Sequence, residues 1–455
     1  MAKILYISFG YPPFWGGGMV KNQIGLMKNL ILTGHDVIYF TAGRYDFRKE
    51  EYLHFRTING IKAVELVNSP NFYDPYGYST NPAYHCSHTK IENMASEVIE
   101  YIKPHIVHIS DLRMHTASII KVTKKFNIPI VKTIENFGDL CPKGDLMFQD
   151  ESPCIDFDNG KKCLICLSKY TCRNIPIIHR VKGSIHYEYL FPFVSRLRGL
   201  KKLIPRGRKQ LNYLSLEYPS KAYAERRRFF IEMLNKCDVI HTTSRNIAQR
   251  FINNGVRPEI VRTISLSAEG LSEIRTRKDF EPRYPIIFGY RGKLHTRKGV
   301  HILLSAFSRL NQQASKLIIY GDGDLSLLSS HSQELNIDYR GKYRRNQINI
   351  ALKDIDVGVV PSIWEEIFGI VGLEYINARI PVIASNIGGI NEWLKDGENG
   401  FLFTPGNSDE LFALMNRFVK NPELITQLQK RIKPWKTMNT YVREIDSLYK
   451  EILKK

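Results

Sequence analysis

Two glutamates, Glu366 and Glu374, stand near the ends of a largely apolar stretch, with seven residues between them in the segment WEEIFGIVGLE. The run VGVVPS (357–362) before them is typical of a buried strand, and the residues that follow predict a helix. The first N–H groups of a helix have no partner within it and lie at its positive end. We therefore predict a phosphate site at this helix start. Its amides belong to Phe368, Gly369 and Ile370.

The two carboxylates are predicted to contact different parts of one phosphorylated molecule. Glu366, just before the helix, would contact a sugar hydroxyl beyond the phosphate, whereas Glu374, more than one turn into the helix, would contact a ribose. In the alternative interpretation, Glu366 caps the helix and Glu374 is an ordinary surface acid.

Two lysines and a run of glycines lie in other loops that should meet at the same place. Lys293 and Lys298 flank a loop after a predicted strand, where their ammonium groups could neutralise a diphosphate without a metal. Gly17 and Gly18 lie between the first strand and the first helix, where the backbone could approach a phosphate or a sugar closely. The alternatives are solvated lysines and a plain turn, because the GxGxxG spacing is absent.

Short β-rich runs alternate with helical segments along most of the chain. This alternation predicts parallel sheets covered by helices, and a length of 455 residues predicts two such domains. We assign residues 1–280 to an N-terminal Rossmann-like domain and residues 281–433 to a second one. A cysteine-rich and basic region at about 139–236 breaks the rhythm of the first domain and is interpreted as an insertion.

The formal net charge of +20 indicates an anionic partner, such as a membrane surface, nucleic acid or a phosphorylated substrate. The first apolar run is too short for a signal peptide, and no stretch reaches the roughly 18 apolar residues of a spanning helix, so we expect a cytoplasmic protein.

The segment 194–210 has seven basic residues and no acid, and it is either an interfacial helix on anionic lipid or a solvated basic helix. Nucleic-acid binding is disfavoured because no recognition module accompanies the charge.

Five of the seven cysteines fall in the insertion, and two of them form a C-x2-C pair. In the cytoplasm, cysteines at such spacing indicate a structural metal, most often Zn²⁺, rather than disulfides. Unconnected buried thiols are the alternative. Five candidates for four ligand places leave the ligand set open: Cys141, Cys154, Cys163, Cys166 and Cys172.

Taken in order, these segments resemble the retaining, nucleotide-sugar-dependent glycosyltransferases of family 4. The resemblance extends over nearly the whole chain and includes the E-x7-E signature of the two glutamates. It implies the GT-B fold, an α/β architecture with two Rossmann-like domains facing across a cleft, and a C-terminal helix at 434–455 that returns to the first domain. The other segments that carry it are GGGMV, GHDV, GKLHTRKGVHILLSAF, YGDGDL, PVIAS and DGENGFLFTPGN.

The resemblance also implies a role for each candidate residue. In this chain Glu135-Asn136 stands where most members have a His-Asp pair in the acceptor cleft. We expect Glu135 to contact an acceptor hydroxyl. The remaining roles are donor-sugar hydroxyls for Glu366, ribose for Glu374, diphosphate for Lys293 and Lys298, a phosphate oxygen for the amides of Phe368, Gly369 and Ile370, and close approach to the donor for Gly17 and Gly18.

The implied function is retaining transfer of a sugar from a UDP- or GDP-sugar to a hydroxyl of a glycan or lipid-linked acceptor. The product would be a cell-surface glycan, such as a polysaccharide, an O-antigen or a glycolipid, made at the inner face of the membrane. No catalytic metal is expected, and any zinc would be structural. The alternative is a non-catalytic GT-B protein that binds a nucleotide sugar or a protein partner, because Glu135-Asn136 departs from the family pattern.

Overall fold

The computed structural model describes residues 1–12, 14–15, 17–46, 50–71, 82–168, 184, 219–329 and 335–454. The basic segment 194–210, with its predicted membrane contact, lies outside these ranges, as does Cys172. Among the described residues, no helix combines the length and the apolar character needed to cross a membrane.

The N-terminal half is built on a twisted sheet whose eight described strands follow the order β10-β9-β6-β5-β1-β2-β4-β3. All neighbours are parallel except β3 and β4, which form a hairpin whose turn, Asn59-Gly60, has positive φ at both residues, as a tight hairpin requires. The strands of this half are β1 (Lys3–Phe9), β2 (Asp36–Arg44), β3 (Tyr52–Ile58), β4 (Ile61–Val67), β5 (Ile106–Ile109), β6 (Ile130–Ile134), the separate pair β7 (Met147–Phe148) and β8 (Ser152–Pro153), β9 (Val239–Thr242) and β10 (Val261–Thr263).

The C-terminal half has a second sheet, in which the six described strands are all parallel and follow the order β13-β12-β11-β14-β15-β16. Its central strands are almost wholly buried and apolar, as expected for a sheet covered on both faces. The strands are β11 (Ile286–Arg291), β12 (Ser315–Tyr320), β13 (Ile337–Gly341), β14 (Val357–Val360), β15 (Val382–Ser385) and β16 (Gly400–Phe403).

Helices connect the strands and cover both sheets. Short 3₁₀ helices also occur, among them one at Thr296–Lys298. The α-helices of the described residues are α1 (Gly18–Leu32), α2 (Pro82–Cys86), α3 (Thr89–Ile102), α4 (Ile119–Lys125), α5 (Lys161–Ser168), α6 (Ser220–Leu234), α7 (Arg245–Ile252), α8 (Val300–Phe307), α9 (Ser326–Ser329), α10 (Ile348–Leu352), α11 (Ile370–Asn377), α12 (Ile390–Trp393), α13 (Ser408–Lys420), α14 (Glu423–Gln429) and α15 (Met438–Leu453).

The last helix, α15, packs on the N-terminal half. Apolar residues recur along one face of α15 at helical spacing and are buried. At the edge of this contact, His35 Nε2 and Asp446 Oδ1 are 3.0 Å apart, and Tyr449 hydrogen-bonds His108 of β5. The C-terminal segment therefore ties the two halves of the chain together.

Direct contacts join the two halves near the carboxyl ends of their strands. Thr243 Oγ1 donates a hydrogen bond of 3.2 Å to the carbonyl oxygen of Ile367. Arg250 forms an ion pair of 2.9 Å with Glu365. Since ligands of open parallel sheets bind beyond the carboxyl ends of the strands, these contacts border the expected site.

Candidate donor site between the two domains

The start of α11 is shaped by glycines. Gly369 occupies the N-cap in the left-handed conformation (φ 74°), and no side chain caps the helix. A Cβ at Gly388 would collide with the backbone of Glu366, and the indole of Trp393 donates a 2.6 Å hydrogen bond to the carbonyl oxygen of Phe368. The first amides of α11 are thus held in place without a side-chain partner, as an anion site at a helix start requires.

Glu366 does not cap this helix, because Gly369 holds that position. The side chain of Glu366 is 9% exposed. The Oε1 atom of Glu366 accepts hydrogen bonds of 2.6 Å from both Lys298 Nζ and Ser362 Oγ. Burial raises the pKa of Glu366, but the Lys298 ammonium and the Ser362 hydroxyl lower it, and the net shift is downward. Glu366 is therefore an ionised carboxylate beside the helix start.

Lys298 reaches Glu366 because of the loop that follows β11. The loop ends in the 3₁₀ helix Thr296–Lys298, and Gly299 has a positive φ of 70° at a point where a Cβ would collide with the carbonyl oxygen of Pro361. The Lys298 ammonium also lies 4.5 Å from the ring centroid of Trp364. The ammonium is thus fixed between the start of α11 and the aromatic ring.

The structure places Lys293 differently from Lys298. The Lys293 side chain is 68% exposed, and its Nζ atom is 2.9 Å from Asp322 in the loop after β12. Hydrogen bonding to Lys293 lowers the pKa of Asp322. Lys293 is therefore a surface cation with its own partner, and a diphosphate role for it stays a prediction.

Glu374 is partly buried and paired, which argues against the surface-acid interpretation. Its Oε2 atom is 2.6 Å from Nη2 of Arg291, the last residue of β11, whose side chain is fully buried. The guanidinium also hydrogen-bonds the hydroxyl of Tyr343 and lies 5.5 Å from the ring of Tyr375. Sequence reasoning missed Arg291, although a charged residue at the carboxyl end of an apolar strand was a usable signal.

The glycine loop of the N-terminal half faces the start of α11. Gly17 has a φ of 127°, and a Cβ there would meet no atom within 4 Å. A Cβ at Gly18 would lie 3.6 Å from Cδ1 of Ile370. The structure therefore brings the glycine loop, Ile370 and the helix start together, with open space beside Gly17.

On the N-terminal side of this space, Glu135 follows β6 and accepts a hydrogen bond from Gln23 of α1. Gln23 Oε1 in turn accepts a 2.7 Å hydrogen bond from Ser8. Burial raises the pKa of Glu135 to about 7; Gln23 opposes the shift, and the Asp111 carboxylate adds to it. Asn136 donates a 2.6 Å hydrogen bond to Asp111. Glu135 and Asn136 thus each have a hydrogen-bond partner from another segment of the N-terminal half.

Four of the five insertion cysteines lie in described residues, in loops near β6 and β8 and on α5. None of these thiols is part of a disulfide. Within the described part of the chain, no three His, Cys, Asp or Glu side chains are arranged to hold a metal ion.

Comparisons with known proteins relate this geometry to a family. Residues 273–435, which contain the start of α11 and both lysines, match the family model of glycosyl transferases group 1. The fold is GT-B. An uncharacterized glycosyltransferase of Methanocaldococcus jannaschii is 26% identical over 424 residues, which cover 90% of this chain and 87% of that protein. These matches support the expected glycosyltransferase, and the two described sheets with their covering helices confirm the predicted α/β fold class.

Solved structures agree on the GT-B architecture. Sucrose-phosphate synthase from Thermosynechococcus elongatus superimposes with a TM-score of 0.66 at 16% identity, with both chains covered completely. The Anabaena protein HepE, in complex with UDP and glucose, has a TM-score of 0.56 at 16% identity and covers 99% of this chain and 100% of its own. At these identities the similarity concerns the fold.

Proposed function

We propose that this GT-B protein is a retaining glycosyltransferase that transfers a sugar from a UDP- or GDP-sugar to a hydroxyl of a glycan or lipid-linked acceptor. The observation that carries the proposal is the Lys298–Glu366 pair, whose charged atoms are 2.6 Å apart and whose carboxylate is buried, beside the uncapped start of α11. This arrangement offers a cation and free amides to a diphosphate and a carboxylate to the sugar attached to it.

In this proposal the nucleotide lies toward Glu374. Because Oε2 of Glu374 is engaged by Arg291, the other oxygen, Oε1, is available to accept hydrogen bonds from the two ribose hydroxyls. Arg291 acts here as a positioning residue that keeps Glu374 oriented. The UDP in the HepE complex supports a nucleotide ligand for this fold.

The proposed reaction proceeds on the face of the sugar that the diphosphate leaves. The acceptor oxygen forms a bond to the anomeric carbon as the bond to the phosphate oxygen breaks, and the departing phosphate oxygen takes the acceptor proton. The protein stabilises the negative charge that builds up on the diphosphate through Lys298 and the amides of Phe368, Gly369 and Ile370.

A retaining glycosidase would need two carboxylates about 5–5.5 Å apart across one bond. Here each glutamate has its own cationic partner, Lys298 for Glu366 and Arg291 for Glu374. The pairing favours donor binding over a glycosidase mechanism.

The proposed setting is the synthesis of a cell-surface glycan at the cytoplasmic face of the membrane. The formal net charge of +20 supports attraction to anionic lipid or to an anionic substrate. A polysaccharide, an O-antigen or a glycolipid is the proposed product.

A nucleotide-sugar panel tests the proposal. The full chain is incubated with UDP- and GDP-sugars, with and without glycan and lipid-linked acceptors, and release of the nucleoside diphosphate is measured. We expect sustained release with one nucleotide class, stimulated by an acceptor. Tight nucleotide binding without release or transfer across the panel would instead favour the non-catalytic alternative.

The pKa of Glu135 predicts a pH dependence. Because burial holds this pKa near 7, above that of an ordinary glutamate, the carboxylate becomes protonated as the pH falls through 7. If the carboxylate accepts a hydrogen bond from the acceptor hydroxyl, kcat/KM for the acceptor should fall about tenfold between pH 7.5 and pH 6. The Glu135→Gln variant should be less active and should lose this inflection.

The control for this experiment is the KM of the donor, measured in the same pH series. The donor site uses Glu366, whose pKa is shifted downward, so donor KM should change little in this range. An identical acceptor profile in Glu135→Gln and wild type would show that Glu135 is not the titrating group.

A further inference from the structure

A small polar cavity lies beside the loops that follow β5 and β6, on the N-terminal side of the cleft. Its volume is about 30 Å³, which is room for about two water molecules. Asn136, the neighbour of Glu135, lines the cavity, and its Nδ2 atom is 3.6 Å from Sδ of Met19, the residue after Gly18. The cavity is therefore next to the glycine loop, on the side where the acceptor is expected.

Basic side chains outnumber acidic ones around this cavity. The charged residues of its described lining are Asp111, Arg113, Lys132, Asp139, Lys143 and Arg226. Arg113 Nη2 is 2.7 Å from Asp111 Oδ2, and Lys132 Nζ is 3.0 Å from Asp139 Oδ2. Lys143 Nζ has two carboxylate partners beyond the lining, at 3.3 and 2.6 Å. Both acids of the lining are thus neutralised, and three of the four cations are paired.

The fourth cation, Arg226 of α6, is 3% exposed and has no described carboxylate within ion-pair distance. Its Nε donates a 2.9 Å hydrogen bond to Nδ1 of His85, and its Nη2 donates one of 2.6 Å to the carbonyl oxygen of Gly138. Both of these residues also line the cavity, and burial lowers the pKa of His85, so its imidazole is neutral. Nη1 of Arg226 is buried without a hydrogen-bond partner. Burying a guanidinium without a counter-charge is costly, so an anion in this cavity would stabilise it.

Arg113 brings a second guanidinium to the cavity in a fixed orientation. Its Nε and Nη2 atoms lie 2.8 and 2.7 Å from Oδ2 of Asp111, and its guanidinium carbon lies 3.9 Å from the ring centroid of Phe9. The side chain is 29% exposed, and no described residue bonds its Nη1 atom. A rigid guanidinium with unused N–H groups is well suited to bind the oxygens of a carboxylate or a phosphate.

We propose that this cavity binds an anionic group of the acceptor, a carboxylate or a phosphate, between Arg113 and Arg226. The inference rests on the proposed transfer reaction and deepens it, because it assigns an acidic acceptor to the same cleft. The cavity admits the charged group but is too small for a sugar ring. The ring would therefore remain in the open cleft beside Glu135.

The cavity is close to the donor loop but distinct from the donor site. Gly144 lines the cavity, and the next residue, Asp145, has its Oδ2 atom 3.0 Å from Nη1 of Arg297. Arg297 is the neighbour of Lys298, which we assign to the diphosphate. The acidic group of the acceptor and the diphosphate of the donor would thus bind to different cations on the two sides of this contact.

The first test measures anion binding without any transfer reaction. The full chain, as wild type and as Lys298→Ala to weaken the donor site, is titrated with sodium phosphate or sodium acetate, against sodium chloride at equal ionic strength. In both chains we expect a saturable rise in melting temperature of about 1–3 °C with one of the two anions. The more effective anion indicates whether the acceptor carries a phosphate or a carboxylate. A melting temperature that follows ionic strength alone would overturn the proposal.

Variants of the two arginines test the assigned residues. Arg113→Gln and Arg226→Gln should each abolish the saturable rise, whereas Arg228→Gln, an exposed arginine of the same helix as Arg226, should keep it. In Arg113→Gln, Asp111 retains its hydrogen bonds from Asn136 and from the backbone N–H of residue 113, so this variant is expected to fold even if Arg226→Gln does not. Arg113→Lys, which keeps the charge, should retain part of the rise. A full rise in Arg113→Gln would contradict the assignment.

The second test compares acceptors. With the donor found in the nucleotide-sugar panel, transfer is measured to matched glycosides that are neutral, carboxylated or phosphorylated. We expect kcat/KM to be about tenfold higher for one acidic class than for the neutral glycoside, and this preference to fall to about threefold or less in Arg113→Gln. Equal kcat/KM for neutral and acidic acceptors would overturn the acidic acceptor. Anion binding without transfer to any acceptor would instead contradict the proposed glycosyltransferase function.

Discussion

Replacing Glu366 by alanine is expected to lower kcat by about 10²–10³-fold, while the affinity for the free nucleotide stays within about threefold. Glu366 is the carboxylate that should contact the moving sugar, and Lys298 and Ser362 hold it ionised beside the start of α11. Single-turnover and steady-state rates, together with calorimetric nucleotide binding, separate the two effects.

Two further variants make the Glu366 result specific. Glu366→Gln keeps the shape but removes the charge, and it should lose nearly as much turnover as the alanine variant. Glu398→Ala removes an exposed carboxylate of the same domain and should be indistinguishable from wild type. Normal turnover with weakened nucleotide binding in Glu366→Ala would contradict the assigned role.

The second large effect concerns donor binding. Lys298→Ala and Glu374→Ala should each weaken binding of the nucleoside diphosphate or the nucleotide sugar by about 1.5–3 kcal/mol, because each removes a charge-assisted contact in a partly buried site. This corresponds to roughly a tenfold to more than hundredfold increase in Kd. Isothermal titration calorimetry measures it directly.

The matched control is Lys342→Ala. Lys342 is a surface lysine of the same domain, 75% exposed, and its removal should leave nucleotide affinity unchanged. Unaltered nucleotide affinity in both Lys298→Ala and Glu374→Ala would refute the phosphate and ribose roles together.

The sequence was sufficient to predict two largely parallel sheets and the meeting of the glycine loop with the start of α11. Strands of a parallel sheet appear in the sequence as short apolar runs, and the loops that follow them lie at one edge of the sheet. Gly18 and Ile370 each follow such a strand, so they could be expected to lie close together between the two sheets. The uncapped start of α11 could also be predicted, because Gly369 directly precedes the helix and has no side chain that could cap it.

The partners of the site residues could not be predicted in the same way. Lys298 and Glu366 are 68 residues apart in sequence, and Asp145 and Arg297 are 152 apart, so their pairing depends on how loops of separate elements converge. Arg291 was missed for this reason, since only the folded chain shows that it holds Glu374.

The hydrogen-bond partners of Glu135 and Asn136 likewise could not be predicted from local sequence patterns. Glu135-Asn136 stands where most members of the resembling family have a His-Asp pair. The sequence therefore left open whether the contact with the acceptor is retained or lost. The structure shows that Gln23 of α1 donates a hydrogen bond to Glu135, and that Asn136 donates one to Asp111 in the loop after β5. These hydrogen bonds depend on the tertiary structure, so they could not be predicted from residues that are neighbours in the sequence.

The configuration of the transferred sugar tests the central proposal most directly. With the donor found in the nucleotide-sugar panel, proton NMR of the early product reports the anomeric configuration before it can equilibrate. We expect an α-linked donor to give an α-linked product, with the nucleoside diphosphate released in equal amount. A β-linked product from that donor, formed by the wild-type chain, would contradict the front-face mechanism at Lys298 and Glu366.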